Sequence, residues 1–219
     1  MIKIADLVDQ IITRSPFLTE AISEGLINTS ALARKIQPEI EDRLGKEIKQ
    51  GAILMAIKRM SFGHLVKAEH ALTHFVKQLS DISVRSNLSV YTFYNSDSLM
   101  EQQVRLLDTA RKFPKSFCTF SQGVSETTII VSDRFEKEMN TLFYDERLLS
   151  KLENISAISL LLPDENRQIY GLYYFILKEL AYQGINMVEL ISTTHEFTIM
   201  VEQEDLTLTF AVLNSLINP

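Results

Sequence analysis

Apolar residues recur at intervals of three and four along the first 80 residues, which is the spacing of helices that bury one face. The first such stripe comprises Ile4, Leu7, Val8, Ile11 and Ile12. Ser15 followed by Pro16 predicts the start of a second helix, since serine caps helix starts and proline is tolerated in the first turn. Gly25 predicts the end of that helix.

The helical pattern continues to about residue 60, interrupted by residues that begin or end helices. Asn28 predicts a cap, and Pro38 predicts that the following helix ends or restarts, because proline lacks an amide proton. Gly45 closes that segment, and a further helix is expected from Glu47 to Met60. Several short helices in close succession predict a compact helical domain over residues 1–61.

Residues 62–80 again carry apolar side chains in steps of three and four, the spacing of a helix that packs along a seam. The stripe comprises Leu65, Ala68, Leu72, Phe75 and Leu79. Two heptads are too few to specify a coiled coil. The segment is predicted to be a linker helix, and two interpretations stay open: it lies on its own domain, or it joins two chains.

After residue 80 the apolar period becomes that of strands, and one order of elements occurs twice. Strand, helix, strand, strand and helix are predicted over residues 81–150 and again over residues 151–219. The first set is Val84–Tyr94, Leu99–Ala110, Ser116–Ser121, Thr127–Val131 and Phe135–Phe143. The second set is Ile155–Leu162, Ile169–Ala181, Asn186–Ser192, Phe197–Val201 and Asp205–Ile217. The repeat predicts an α+β class with antiparallel sheets and helices on one face.

The composition is that of a folded chain, with 46% hydrophobic and 23% charged residues. Residues 1–80 hold 11 Lys and Arg against 9 Asp and Glu, a net charge of +2, and the remainder holds 11 against 19, a net charge of −8. This division permits a nucleic-acid contact by the N-terminal part without requiring one. The sequence has no apolar run of 18 residues and no basic start before an apolar run, so no membrane contact and a cytoplasmic location are expected.

Residues that could react with a substrate or bind a metal ion are few and far apart in the sequence. Cys118 is the single cysteine and is expected to be a packed strand thiol. His70 and His74 have the spacing of two ligands on one helix, but no acid or cysteine follows one turn further, so no metal site is predicted. Glycine-rich phosphate loops and hydrolase or protease motifs do not occur in the sequence. The expectation is a protein without catalytic residues or cofactors, with an enzyme subunit as the less favoured alternative.

Two short segments carry a family resemblance. The run Phe120–Val131, FSQGVSETTIIV, resembles the second-to-third-strand segment of the ACT domains of aspartate kinases. The run Ala181–Ser192, AYQGINMVELIS, is similar to the end of the first helix and the second strand of the same domains. The resemblance covers residues 82 to 217 and implies two consecutive ferredoxin-like ACT-type units. A complete unit of this family has a fourth strand, which neither repeat shows, so the exposed edges predict side-by-side association within the chain or across a dimer.

The resemblance also implies a site for an amino-acid effector, in the loop after the first strand and at the second strand of a neighbouring unit. In the second repeat the matching residues are Asp164, Glu165, Asn166, Gly171, Ile185, Asn186 and Met187. Asp164 could bind the ammonium group of an amino acid, and the Asn166 amide could bind its ammonium or its carboxylate group. Gly171 would let the start of a helix lie close to the ligand. Alternatively, Asp164 and Asn166 cap the helix that follows. The first repeat has the shorter loop Tyr94–Ser98 without a glycine, where Asn95 and Asp97 are candidate caps.

The N-terminal run Gly25–Ile36, with Ala52-Ile53 and Ala56-Ile57-x-Arg59, is similar to the helix-turn-helix-like head of predicted ACT-containing regulators of amino-acid metabolism. The resemblance implies a dimeric regulator in which the head carries the response. In one version the head binds DNA, with Lys46, Lys49, Lys58 and Arg59 on phosphates. In the other, the head contacts a protein partner or completes the dimer.

Overall fold

Four helices follow one another along residues 3–60, the described part of the N-terminal unit. The computed structural model describes residues 3–60, 72, 75–79 and 81–218, and the chain divides into two compact units, Met1–Ala71 and Leu72–Pro219. The helices of the first unit are α1 (Ile4–Thr13), α2 (Pro16–Ser23), α3 (Thr29–Leu44) and α4 (Gln50–Arg59). Their shared core includes the fully buried side chains of Val8, Ile12, Ala33, Ile40, Ile53 and Ile57.

The helix ends predicted at Ser15, Asn28 and Gly45 are confirmed. The Ser15 hydroxyl accepts a hydrogen bond from the Leu18 amide at 3.4 Å at the start of α2. The Asn28 side chain accepts bonds from the amides of Ser30 and Ala31 at 3.0 and 3.1 Å at the start of α3. Gly45 ends α3 in the left-handed conformation, with φ of +65°. Local capping chemistry therefore sets these boundaries.

The predicted end or restart of the helix at Pro38 is wrong, because α3 runs without a break from Thr29 to Leu44. Proline removes one helical hydrogen bond and crowds the preceding turn. However, Ile36 and Ile40 lie on either side of Pro38 and are both buried in the core, with 5% and 0% of their surface exposed. Burial of two isoleucines in one continuous helix outweighs the lost bond, since each buried side chain contributes about 1.5–3 kcal/mol.

The last helix of the unit begins three residues later than predicted, at Gln50 and not at Glu47. The Glu41 carboxylate explains the delay, because it accepts hydrogen bonds from the Ile48 amide and the Gln37 side chain, both at 2.9 Å. The Gln37 side chain also donates to the Ile48 carbonyl at 2.9 Å. These bonds hold the connection between α3 and α4 in a non-helical conformation.

The hydrogen bonds to Glu41 give a pH prediction. Bonds from Gln37 and from the Ile48 amide lower the pKa of the Glu41 carboxyl below its ordinary value of 4.5. A carboxyl whose pKa is lowered by folding stabilises the folded state above the ordinary pKa, and this contribution is lost as the pH falls through the lowered value. Glu41→Ala is therefore expected to lower the melting temperature at pH 7, measured by circular dichroism, with a difference that shrinks toward pH 3. A difference that stays constant with pH would contradict this account.

The second unit is built on one six-stranded sheet. Its elements are β1 (Ile82–Tyr94), α5 (Leu99–Ala110), β2 (Cys118–Gln122), β3 (Glu126–Ser132), α6 (Glu136–Leu142), β4 (Leu148–Leu161), α7 (Leu172–Tyr182), β5 (Glu189–Ser192), β6 (Glu196–Glu202) and α8 (Leu206–Ile217). Short 3₁₀ turns, Asp133–Phe135, Asp164–Gln168 and Gln203–Asp205, precede the helices α6, α7 and α8. The strand order is β2-β3-β1-β4-β6-β5, and all neighbouring strands are antiparallel. The predicted α+β class is confirmed.

The long strands β1 and β4 supply the fourth strand that each repeat lacks in the sequence pattern. The first part of β4 pairs with the last part of β1, as in Phe93 opposite Leu148 and Tyr91 opposite Lys151. The last part of β4 pairs with the first part of β1, as in Ile82 opposite Leu160. Each long strand is thus the first strand of its own repeat and the fourth strand of the other. The expected side-by-side association is confirmed within the chain.

A left-handed residue interrupts each long strand. Asn87 in β1 has φ of +58°, and Asn154 in β4 has φ of +57°. The pairing register of β1 and β4 shifts beside them, between Arg85 and Leu88 and again between Leu88 and Val90. Such bulges bend a strand and increase its twist. They let one strand change from the curvature of one repeat to that of the other.

Three apolar clusters stabilise this sheet. Helices α5 and α6 pack with Tyr91, Phe93, Ile129 and Val131, and helices α7 and α8 pack with Ile158, Leu160, Phe197 and Ile199. The alternating strand residues form a third cluster, to which none of the described helices contributes: Leu88, Val90, Ile130, Ile155, Ala157 and Met200. Members of this third cluster are at most 5% exposed, and Phe117, Val188 and Ile191 pack against them.

The predicted linker helix, residues 62–80, lies largely outside the described residues, as do His64, His70 and His74. Of its apolar stripe, Phe75 and Leu79 are buried in the core of the second repeat, and Leu72 packs against that core. For these three residues, the interpretation of a helix lying on its own domain is therefore favoured.

Candidate functional site

Two loops occupy equivalent positions in the two repeats, where β1 and β4 end. The Asn95 amide, directly after β1, donates to the Ser125 carbonyl at 3.0 Å in the turn between β2 and β3. The Leu162 amide, directly after β4, donates to the His195 carbonyl at 2.7 Å in the turn between β5 and β6. We call these places the first and second junctions. Comparing them shows which polar groups at each junction are already bonded within the chain.

Asn95 ties the first junction together. Its side-chain amide donates to the carbonyls of Gly123 and Val124 at 2.9 and 3.2 Å, and its carbonyl oxygen accepts from the buried Thr127 hydroxyl at 2.7 Å. Asn95 is therefore committed to the turn, and neither Asn95 nor Asp97 caps α5. The cap is the Ser96 hydroxyl, which accepts a bond from the Leu99 amide at 3.1 Å.

The first junction also holds a carboxylate from its own chain. The hydroxyls of Ser96 and Ser98 donate to the two carboxylate oxygens of Glu146 at 2.5 and 2.7 Å. This places a negative charge beside the start of α5, where the helix dipole favours an anion. A ligand carboxylate would have to displace Glu146. At the first junction, the position that would suit a ligand carboxylate is therefore occupied by Glu146.

The second junction has a different arrangement. Asn166 uses both amide hydrogens, donating to the carbonyls of Pro163 and Thr194 at 2.8 Å each. It thus has the same structural role as Asn95, because it fixes the loop to the turn with both of its amide hydrogens. The Asp164 carboxylate lies 3.4 Å from the His195 Nδ1 atom, and 85% of the Asp164 side chain is exposed. Glu165 is also exposed.

Gly171 begins α7 in the left-handed conformation, with φ of +83°. A side chain at this position would be strained by the backbone conformation alone. A Cβ atom there would lie 3.5 Å from the Leu72 Cδ1 atom, an ordinary contact. The glycine is therefore explained by the turn into α7.

The three predicted residues near β5 differ in exposure. Gly184, with φ of +71°, ends α7, and the Ile185 amide donates to the Leu180 carbonyl at 3.1 Å. Ile185 is 5% exposed in the apolar core, and Met187 packs against the same core. Of this group, Asn186 is the exposed side chain, and it precedes β5, the last strand of the sheet order.

Tyr173 is a candidate that the sequence pattern did not indicate. Its hydroxyl lies 2.7 Å from the Ser192 hydroxyl, at the end of β5 that leads into the turn with His195. Its ring lies 4.7 Å from the Phe197 ring, and 41% of the residue is exposed. A tyrosine one residue into a helix has no local signal, because its partner is 19 positions away. Tyr173 and Ser192 thus place two hydroxyl groups beside the turn of the second junction.

The basic residues of the helical unit do not form one patch on one helix face. Lys46 lies between α3 and α4, Lys49 directly precedes α4, and Lys58 and Arg59 are in its last turn, all of them exposed. Asp6 and Asp9 of α1 line the same groove as Arg59. Phosphate groups approaching Arg59 would therefore also meet two carboxylates.

A nucleophilic thiol, a metal site and a membrane-spanning helix each have requirements that can be compared with the described residues. Burial raises the pKa of the Cys118 thiol to about 11, so the thiolate needed for nucleophilic attack is scarce at neutral pH. Within the described part of the chain, no group of three or more His, Cys, Asp or Glu side chains is placed to hold a metal ion. No described helix is long and apolar enough to cross a membrane.

No family model matches the sequence, and no curated protein matches it. Solved structures do match. A crystal structure of aspartokinase alpha and beta subunits gives a TM-score of 0.51 at 14% identity, covering 64% of this chain and 99% of that chain. The ligand-free regulatory subunit of aspartate kinase from Thermus thermophilus gives 0.50 at 8% identity, covering 63% of this chain and 98% of that one. The C-terminal unit has an aspartate kinase regulatory-subunit fold.

The match to a longer enzyme is partial. The aspartate kinase of Clostridium acetobutylicum gives a TM-score of 0.52 at 12% identity, with 64% of this chain matching 35% of that chain. This chain therefore spans about a third of that kinase. At these identities the likeness establishes the fold, and the ACT-type fold expected from the two short motifs is confirmed.

Proposed function

We propose that the protein is a metabolite-responsive regulatory protein without catalytic activity, and that its effector is an amino acid or a similar small metabolite. The supporting observation is that 63% of this chain matches 98% of the regulatory subunit of aspartate kinase from Thermus thermophilus. In that protein the fold belongs to a regulatory subunit, which favours regulation over catalysis for this chain. The alternative, an enzyme subunit with its reaction between the repeats, has no comparable support.

We place the effector at the second junction. The contact set is Asp164, Glu165, Asn166, Gly171, Ile185, Asn186 and Met187, with Tyr173 and Ser192 added. Asp164 receives the ammonium group in place of its contact with His195, and Ile185 contributes its main chain because its side chain is buried. Asn166 and Gly171 hold the loop in shape. The first junction is excluded because Glu146 already takes its anion position.

The effector site would lie beside a strand at the edge of the sheet. Strands β2 and β5 are the two ends of the strand order, so a site spanning β5 and a neighbouring unit requires a second chain. Edge strands offer unpaired backbone groups to such a partner. A homodimer is therefore part of the proposal.

Calorimetry of the full chain against the twenty amino acids tests the effector. At least one is expected to bind, and Asp164→Asn is expected to weaken that binding by about tenfold or more, because a charge-assisted hydrogen bond is lost. Asp97→Asn is the matched control, since Asp97 is also exposed and follows its strand by the same three residues. Absence of binding would overturn an amino-acid effector, and equal effects of both substitutions would overturn its location at the second junction.

For the output, we favour a protein contact of the helical unit over DNA binding. The net charge of +2 over residues 1–80 is small, and Asp6 and Asp9 line the same groove as Arg59. Phosphate contacts make affinity fall steeply with salt. A gel shift at low salt that disappears as salt rises, and that is lost in Lys58→Ala/Arg59→Ala, would favour the DNA version instead.

A further inference from the structure

A groove of about 620 Å³ runs between α1 and α4 on the surface of the helical unit. One face of each helix lines it, in the i, i+3, i+4 spacing that lets a second helix lie against such a surface. The α4 side of the groove includes the apolar residues Ala52, Met55 and Ala56, and Met55 is large and 48% exposed. An exposed methionine between two small residues leaves room for a side chain from outside.

Charged residues of opposite sign line the same groove. Asp9 lies on α1 and Arg59 on α4. Within the described residues, neither of them takes part in an ion pair. Asp6 also lines the groove, and it caps the start of α1 by accepting a bond from the Lys3 amide at 3.3 Å. Asp9 and Arg59 are thus both available for an outside partner.

The pattern of charges favours one kind of occupant. A nucleic acid would meet two carboxylates for one guanidinium. A small ligand is normally enclosed on most sides, which a channel between two surface helices does not provide. A second copy of this surface, related by a two-fold axis, brings its own Arg59 and Asp9. Each contact in a two-fold interface occurs twice, so the Asp9 of each copy can pair with the Arg59 of the other.

We propose that this groove is an interface between the helical units of two chains, in which Asp9 of each copy pairs with Arg59 of the other across a contact centred on Met55. The apolar side chains of the two grooves pack against one another, and the two ion pairs fix the alignment of the two α4 helices. The exposed face of α4 is then covered in the dimer. This inference does not depend on any effector binding at the second junction.

Cross-linking locates the contact directly. In full-length protein with Cys118→Ser, Met55→Cys is expected to form a disulfide-linked dimer under mild oxidation, because residues at a two-fold axis face their own copies. Leu26→Cys in the same background is the control, since Leu26 is in the same unit, is 73% exposed and does not line the groove. Equal cross-linking at both positions would indicate chance collisions and overturn the proposal.

Charge reversal tests the pairing. Asp9→Arg alone and Arg59→Asp alone each place like charges together twice, so each is expected to slow the Met55→Cys cross-link by about tenfold or more. The double reversal Asp9→Arg/Arg59→Asp restores opposite charges and is expected to restore the rate. Failure of the double reversal to restore it, in protein with unchanged circular dichroism, would overturn a self-contact and leave another protein as the occupant. Calorimetry of the effector is expected to be unaffected by these variants, which separates the two proposals.

Discussion

Replacing Leu106 with alanine is expected to destabilise both repeats of the C-terminal unit together, by about 2–5 kcal/mol. Leu106 lies on α5 with none of its surface exposed and packs among the side chains of the first repeat alone. The cost has two parts, the lost transfer of the side chain from water and the cavity that remains. A cost of this size is a large fraction of the stability of an ordinary domain.

The effect spreads to the second repeat because of the shared strands. Strand β4 is the fourth strand of the first repeat and the first strand of the second, and β1 has the reverse role. Opening either repeat therefore removes hydrogen-bond partners from the other. Weakening at Leu106 is expected to lower the opening free energy of β6, which belongs to the second repeat, by the same amount.

Native-state hydrogen exchange measures this directly, since it reports opening free energies strand by strand. Leu107→Ala is the matched control, because Leu107 is the next residue on α5 and is 45% exposed. The control is expected to change stability by less than about 0.5 kcal/mol. If Leu106→Ala accelerated exchange in β3 while β6 kept its protection, the two repeats would be independent folding units.

How far the fold could be predicted depends on whether its signals are local. The bounds Leu99–Ala110 were predicted without error, because the apolar spacing of this helix lies within one continuous segment. The first part of β4 was missed, because Leu148, Leu149 and Leu152 are 43–47% exposed and do not alternate with polar residues. That part forms a strand because β1 pairs with it, and β1 lies more than fifty positions earlier.

The same distinction holds for the candidate site. The loop after β4 could be located from the repeat, but the role of Asn166 could not, because its partner Thr194 is 28 positions away. The closure of the first junction by Glu146 was equally hidden, since Glu146 is 48 positions from Ser98. The sequence pattern located the loop, and long-range hydrogen bonds determine which of its side-chain atoms already have partners within the chain.

The left-handed residues of the long strands lead to the second large prediction. Asn87 and Asn154 occupy a region of φ that asparagine tolerates and β-branched residues strongly disfavour. Asn87→Val and Asn154→Val are each expected to lower the free energy of unfolding by about 1–2 kcal/mol, from the clash between the Cβ atom and the carbonyl oxygen. Urea unfolding followed by circular dichroism measures the change.

Glycine separates the backbone effect from lost side-chain contacts. Asn87→Gly and Asn154→Gly remove the side chain but keep the left-handed conformation available, so each is expected to cost far less than valine. A glycine variant as unstable as the valine variant would mean that the asparagine side chain, and not its φ, stabilises the bulge. Similar costs of valine at the two positions would mean that both long strands must bend for the sheet to form. A cost at Asn154 alone would instead mean that β4 is bent by its own conformation, while β1 follows by pairing with it.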